Sequence, residues 1–146
     1  MQLSTKGRYA VMAMADLAGR PVDRPVTLSE IATRQQISLA YLEQLFSRLR
    51  RRGVIDSVRG PGGGYRLARS AEMISVADVV LAVDEPLKAT RCAGKGSTTG
   101  CMVGGVRCLT HDLWEATGQH IEKFLAGISL ADVVNGNLAA RRGALA

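Results

Sequence analysis

Residues 27–69, TLSEIATRQQISLAYLEQLFSRLRRRGVIDSVRGPGGGYRLAR, constrain the fold more than any other stretch of the chain. Thr27 precedes Glu30 at the spacing of a capping box, in which hydroxyl and carboxylate each satisfy a backbone donor that the helix leaves free. A short helix is predicted over 28–35. After the turn QQIS, Ser38 can cap a second helix in which Tyr41, Leu42, Leu45 and Leu49 recur at helical spacing, and Gly53 offers a left-handed residue to end it. Two capped helices on so short a link form a helix-turn-helix, although the turn lacks the glycine often found there. VIDSV, a tight glycine loop and GYRLAR then read as a strand, a turn and a returning strand. That order predicts a winged helix: a mainly α fold with a small β-hairpin wing.

The flanks extend this unit. Tyr9, Met12, Ala13 and Leu17 predict a first helix from Ser4 to Gly19, stopped by Gly19 and Pro21, with Met12 and Met14 filling core or interface. Past the wing, Ser75 can cap a helix through VADVVLAVDE that Pro86 closes. Later, LTHDLWEATGQHIEKFLAGI sets Leu113, Trp114, Thr117, Ile121, Phe124, Leu125 and Ile128 on one stripe. So small a domain offers little core for it, which calls for a two-fold partner; the alternative is packing back on the first helix. Ser129 can cap a last short turn, ADVV, and the remainder reads as a frayed tail.

Charge indicates a partner. Of 19 Lys/Arg and 13 Asp/Glu, residues 1–70 hold twelve and five, while residues 71–146 hold seven and eight. A one-sided basic surface suits a polyanion, and double-stranded DNA fits the motif; a merely solvated basic face is the alternative. The second helix of such a motif meets base edges with its N-terminal residues, here Ser38, Ala40, Tyr41, Glu43 and Gln44. Gln44 can pair with adenine and Glu43 can accept from cytosine. A carboxylate near phosphates lowers general affinity, so Glu43 points to discrimination between sites, its plainer role being a salt bridge with Arg48 or a neighbour. Arg48, Arg50, Arg51 and Arg52 suit both the helix dipole and phosphates, and Arg59 at the wing is placed for a minor groove, with Tyr65 and Arg66 near the backbone. RGPGGG leads into a strand and GKGST lacks the spacing of a nucleotide-binding loop, so neither reads as one.

All three cysteines, Cys92, Cys101 and Cys108, lie in one glycine-rich stretch with His111 just after. The first residues do not read as a signal peptide and no apolar run reaches membrane-spanning length, so the expected location is the cytoplasm, with no membrane partner. There an odd set of thiols favours a metal, a cluster or a redox switch over a disulfide. No CxxC is present, and spacing leaves a [2Fe-2S] cluster, Zn2+ and free thiols all open. His120, mid-helix, is expected at the surface or an interface. No nucleophile, base and orienting group fall together, so an enzyme is not expected.

The segments STKGRYA, ISLAYLEQLFSRLRRRGVIDSVRGPGGGYRL and AVDEPLKATRC leading to CLTHDLW together resemble the Rrf2 family of bacterial winged-helix regulators, specifically its cluster-sensing branch. The likeness covers about residues 1–135. It implies a homodimer holding one [2Fe-2S] cluster per subunit, delivered by the iron-sulfur assembly machinery. It also implies repression or activation of cluster-assembly genes, with occupancy changing which promoters are bound. By position Cys92, Cys101, Cys108 and His111 match the family's cluster ligands. Glu43 matches the residue that tunes site choice, and Ser38, Tyr41, Gln44 and Arg59 match DNA-contacting positions. The inter-cysteine spacings are longer than in that branch, and Ala40 replaces a common serine. His111 separates the chain from the nitric-oxide-sensing members, which lack this histidine. The alternative function is a winged-helix regulator with a structural zinc site or another redox or nitric-oxide signal. The expected organisation is a winged helix-turn-helix DNA-binding domain over 1–86, a cysteine-rich cluster-binding loop over 87–111, a dimerisation helix region over 109–134 and a disordered tail over 135–146.

Overall fold

Local capping chemistry sets most element boundaries. A computed structural model describes residues 3–92 and 99–138. Its helices are α1 (Thr5–Ala18), α2 (Leu28–Gln35), α3 (Leu39–Arg51), α4 (Val76–Ala82), α5 (His111–Ala126) and α6 (Leu130–Asn135). Strands β1 (Ile55–Val58) and β2 (Gly64–Leu67) lie between α3 and a short 3-10 turn over Ala71–Met73. Capping boxes close in both directions at Thr27 with Glu30, Ser75 with Asp78 and Ser129 with Asp132. Ser38 accepts the backbone N–H of Tyr41 at 3.1 Å. In the turn between α2 and α3, Gln36 takes the left-handed backbone, φ 55°, that glycine usually supplies. That costs about 1 kcal/mol, and buried Ile37 beside it holds the turn in place.

The wing is an antiparallel pair in the register Ile55↔Leu67, Asp56↔Arg66, Ser57↔Tyr65 and Val58↔Gly64. Tyr65 also exchanges backbone hydrogen bonds with Val26, at 2.7 and 2.9 Å, fastening the hairpin to the start of α2. Its ring meets Phe46 edge-on with centroids 5.2 Å apart. The main core packs Ala10, Ala13, Met14 and Leu17 of α1 against Ile31, Leu42, Leu45, Phe46, Leu49 and Ile55. Small residues at 10 and 13 allow that close approach. The methionine pair divides: Met14 is buried in this core and Met12 is exposed.

The second half departs from the sequence pattern in two places. α4 ends at Ala82 instead of continuing to Glu85, because Asp84 turns into left-handed backbone at φ 59° two residues before Pro86. α5 packs on α4, not primarily on α1: Ile121, Phe124 and Leu125 lie against Val76, Ala77, Val80, Leu87 and Ile128, with Val11 of α1 at the margin. Leu113 and Trp114, at the start of the stripe, are 58% and 44% exposed. Among the described residues, the chain therefore covers only the C-terminal half of the stripe. Residues 136 and 137, expected in the tail, are held against α6: Gly136 is a left-handed cap and Asn137 N–H donates to Asp132 O at 2.9 Å. Residues 139–146 and the whole decoy motif GKGST lie outside the described residues. Among the described residues, no helix is long and apolar enough to cross a membrane.

Asp16 is a buried carboxylate on α1 that accepts Arg34 Nη2 at 2.6 Å, Arg34 Nε at 3.0 Å and Gln35 Nε2 at 2.7 Å. Burial pushes its pKa up, but the hydrogen bonds from Arg34 and Gln35 and the nearby guanidinium charges outweigh that and hold it below the ordinary carboxylate value. A depressed folded pKa stabilises the fold above the unfolded value near ~3.9, and this contribution is lost as pH falls through the folded value. Asp16→Asn is expected to cost about 2 kcal/mol at neutral pH, less than for a fully buried pair because Arg34 can rehydrate. Urea midpoints measured across pH should show the deficit narrowing below about pH 4.

Candidate metal centre and nucleic-acid interface

The cysteine-bearing stretch closes on the first turn of α5. Cys101 N–H and Met102 N–H both donate to Val106 O at 3.0 Å, and Gly105 N–H donates to Met102 O at 3.1 Å, so residues 101–106 double back in a tight turn. Gly100 makes this possible: its φ is 78°, and a Cβ there would stand 2.3 Å from the Gly105 carbonyl. The turn brings the third cysteine back to the same cavity despite the long spacing.

His111, whose side chain is only 1% exposed, is the pivot. Its Nδ1 lies 2.9 Å from Cys101 Sγ and 3.6 Å from Cys92 Sγ, and the two sulfurs are 3.9 Å apart. The ligand atoms of Cys92, Cys101 and His111 all fall within 4.8 Å of one another. Cys108 stands at the rim of the group, its Sγ 4.0 Å from Thr110 Oγ1. It lines the same cavity of about 580 Å³ as Thr90, Cys92, Cys101, His111 and Trp114. The Cys108 N–H draws the Cys101 thiol down, yet burial and the sulfurs of Cys108 and Cys92 prevail, so it holds its proton more tightly than an ordinary thiol. A cation gathering these sulfurs must displace protons, which makes binding stronger at higher pH.

On its far side, His111 Nε2 faces Glu115 Oε2 at 3.5 Å. A carboxylate behind a histidine helps orient the ring with Nδ1 toward the sulfurs, a common outer support of metal-bound imidazole. His111, Asp112 and Glu115 also form an acid-rich group. Arg107 engages both carboxylates, and already supplies the cation there.

In the reading helix, Ser38, Ala40, Glu43 and Gln44 are exposed. Tyr41 is half-buried, its ring edge-on to Tyr9 at 6.0 Å. The salt bridge considered for Glu43 is not formed: Arg48 turns to Asp84, and among the described residues no ion pair engages Glu43. Arg51 and the wing residue Arg59 are exposed, while Arg52 pairs with Asp84 at 3.2 Å. The Tyr65 ring, expected near a nucleic-acid backbone, packs instead on Phe46; Arg66 stays exposed. His120 is exposed, as expected.

The sequence model of the Rrf2 family, described as an iron-dependent transcriptional regulator, matches residues 3–136. The chain belongs to the Rrf2 family. It is 56% identical over 135 residues to the HTH-type transcriptional regulator IscR of Yersinia enterocolitica, covering 92% of this chain and 80% of that protein. The IscR of Photorhabdus laumondii matches to the same extent. Among solved structures, T. potens IscR superposes with a TM-score of 0.72 at 38% identity, covering 94% of this chain and 88% of that one. CymR, the global cysteine regulator of B. subtilis, superposes with a TM-score of 0.76 at 28% identity over 92% of this chain and 97% of that one. This Rrf2 protein is accordingly a winged-helix, DNA-binding transcriptional regulator and not an enzyme.

Reasoning from sequence alone missed Glu115 and Arg107. Glu115 follows His111 by four residues on a helix, the spacing that puts two side chains on one face, and this signal was available. Glu115→Gln is expected to leave the fold intact and to weaken metal retention about tenfold, the lower end for loss of an outer carboxylate. Competition of the variant and the parent against a zinc chelator checks it; equal retention would leave Glu115 with only its ion pair to Arg107.

Proposed function

We propose that this protein is a [2Fe-2S]-sensing regulator of iron-sulfur cluster assembly genes, in which cluster occupancy alters promoter choice. The observation that carries this reading is the convergence of Cys92, Cys101 and buried His111 in one cavity with Cys108 at its rim, in a family described as iron-dependent. Three thiolates and one imidazole, all from one chain, fit a cluster with incomplete cysteine ligation and fit tetrahedral zinc as well. The names of the relatives favour the cluster. When bound, the cluster supplies a labile, redox-active centre. The chain's own part is to present Nδ1 of His111, to gather the sulfurs by the 101–106 turn, and to link the loop to α5.

The working form is a homodimer. The open N-terminal half of α5, with Leu113 and Trp114 exposed beside the cysteine stretch, supports a two-fold partner there. Residues 1–86 act as the DNA-binding domain, 87–111 as the cluster loop and 109–134 as the dimerisation region, and the assembly machinery donates the cluster in the cytoplasm. Ser38, Ala40, Tyr41, Glu43 and Gln44 read the major groove, Arg51 meets a phosphate and Arg59 enters a minor groove. Ala40 offers a methyl where a hydroxyl is common in the family, which suits contact with a thymine methyl.

Anaerobic purification followed by visible absorption and joint assay of iron, sulfide and zinc tests the reading. Equal iron and sulfide with a coloured spectrum is the expected result, and footprints of loaded and cluster-free protein should then differ between promoters. Zinc without sulfide selects the structural-zinc alternative, and identical footprints reject switching. Glu43→Ala is expected to broaden the set of sites selected from random duplexes, narrowing a discrimination of about 1–3 kcal/mol per base pair, because a repulsive group is removed. A purely narrower set would contradict that role.

A further inference from the structure

Residues 83–85 join α4 to the cysteine-bearing stretch, and each is fastened to the reading half of the chain. Arg48 Nη1 donates to Val83 O at 3.2 Å and lies 3.9 Å from Asp84 Oδ2. Arg52 Nη2 donates to Asp84 Oδ1, and Lys6 Nζ donates to Asp84 O, both at 3.2 Å. Glu85 is buried; it accepts Ser4 N–H at 3.0 Å, Gly7 N–H at 3.2 Å and the Ser4 hydroxyl. One short segment thus grips α3 at its last turn and α1 at its first. Asp84 holds its left-handed backbone within this grip, a conformation that persists in a non-glycine residue only where the surroundings over-determine it.

Downstream the chain stays in contact. Leu87 is buried in the cluster formed with α4 and α5. The backbone of 87–89 presses on α5 at Gly118, where a Cβ would stand 3.0 Å from Ala89 N and 3.2 Å from Leu87 O. Thr90, Arg91 and Cys92 then line the cavity of the candidate ligands. A continuous packed course therefore runs from a sulfur of the metal centre to the two helices that orient the DNA reader.

We propose that Asp84 and Glu85 are positioning residues that carry metal occupancy at Cys92 to the reading head, Asp84 through Arg48 and Arg52, Glu85 through the first turn of α1. This rests on the metal-binding reading above. Ion pairs this exposed contribute little to stability, so the role of Asp84 is geometric. A guanidinium held between Val83 O and the Asp84 carboxylate follows any shift of the segment, and α3 carries Glu43 and Gln44 with it.

The test uses the full chain as parent, Asp84→Asn, Asp84→Glu and Glu85→Gln, each metal-free and then loaded anaerobically with iron and sulfide, or with Zn2+ as a second probe. Asparagine tolerates left-handed backbone, so Asp84→Asn removes charge while keeping shape. The readouts are metal content, amide hydrogen exchange in residues 48–52 and 5–8, and affinity for duplexes that the parent selects from random sequence. In the parent, loading should change exchange in both turns and change affinity by about fivefold or more. Asp84→Asn should bind the same metal, lose the response in 48–52, keep it in 5–8 and bring the loaded-to-free affinity ratio toward one; Asp84→Glu should restore part of it. Glu85→Gln should show the reverse exchange pattern. Should Glu85→Gln fail to fold, Asp84→Asn at its exposed position carries the test. Full metal content with an unaltered response in Asp84→Asn overturns the proposal, as does a loaded parent with no response in either turn. A parent that takes up neither probe overturns the metal-binding reading and the proposal with it, and the metal assay alone identifies that case.

Discussion

Helix α1 is held at both ends by buried carboxylates, and the remainder of the fold is arranged around it. Asp16 ties its C-terminal half to α2 through Arg34 and Gln35. Glu85 closes its N-terminus by accepting the N–H groups of Ser4 and Gly7. A carboxylate removed from water is costly unless its oxygens are matched by donors, so each anchor tolerates very few geometries. Apolar contact between Ala10 or Ala13 and the helix-turn-helix would by itself allow sliding; the two carboxylates select one register. The tilt of α3, which determines where Ser38 and Gln44 point, follows from that register.

The same economy divides charge along the chain. Arginines free of acidic partners, such as Arg51 and Arg59, are exposed in the reading half, where a phosphate backbone can use them. Two others carry acidic partners, Arg52 with Asp84 and Arg107 with Asp112 and Glu115. Glu43, exposed and not ion-paired by any described side chain, places a carboxylate on the reading face, as the proposed discrimination between sites requires.

What was legible in the sequence was what is decided within a few residues. Thr27 with Glu30, Ser75 with Asp78 and Ser129 with Asp132 close locally, so spacing alone marks their helix starts. The hairpin followed in the same way from its glycine turn. The end of α4 was not legible, because Asp84 and Glu85 are drawn out of the helix by Lys6, Ser4, Gly7 and Arg52, some 32 to 81 residues away in sequence. Tyr65 looks like a surface strand residue until Phe46 arrives from α3. Of the four candidate ligands, the convergence of three is seen in the fold, and the resemblance to a family, more than spacing, had grouped them. Nothing in the sequence alone distinguishes Cys108 at the rim from Cys101 beside His111, since that depends on how the 101–106 turn folds.

That turn bears on why a sensor would hold its metal on a loop. Ligands carried by regular helices are preorganised, and their affinity leaves little conformational change for occupancy to drive. Here only His111 belongs to a long helix; Cys92 and Cys101 come from irregular chain on either side of residues 93–98. A cation gathered there must displace thiol protons, so part of the free energy of binding goes into releasing them. Cys92 lies seven residues beyond Glu85, at the end of the packed course through 87–89, whereas His111 stands on α5 itself. On the proposed reading, one ligand set therefore has two outlets, toward the reader and toward α5.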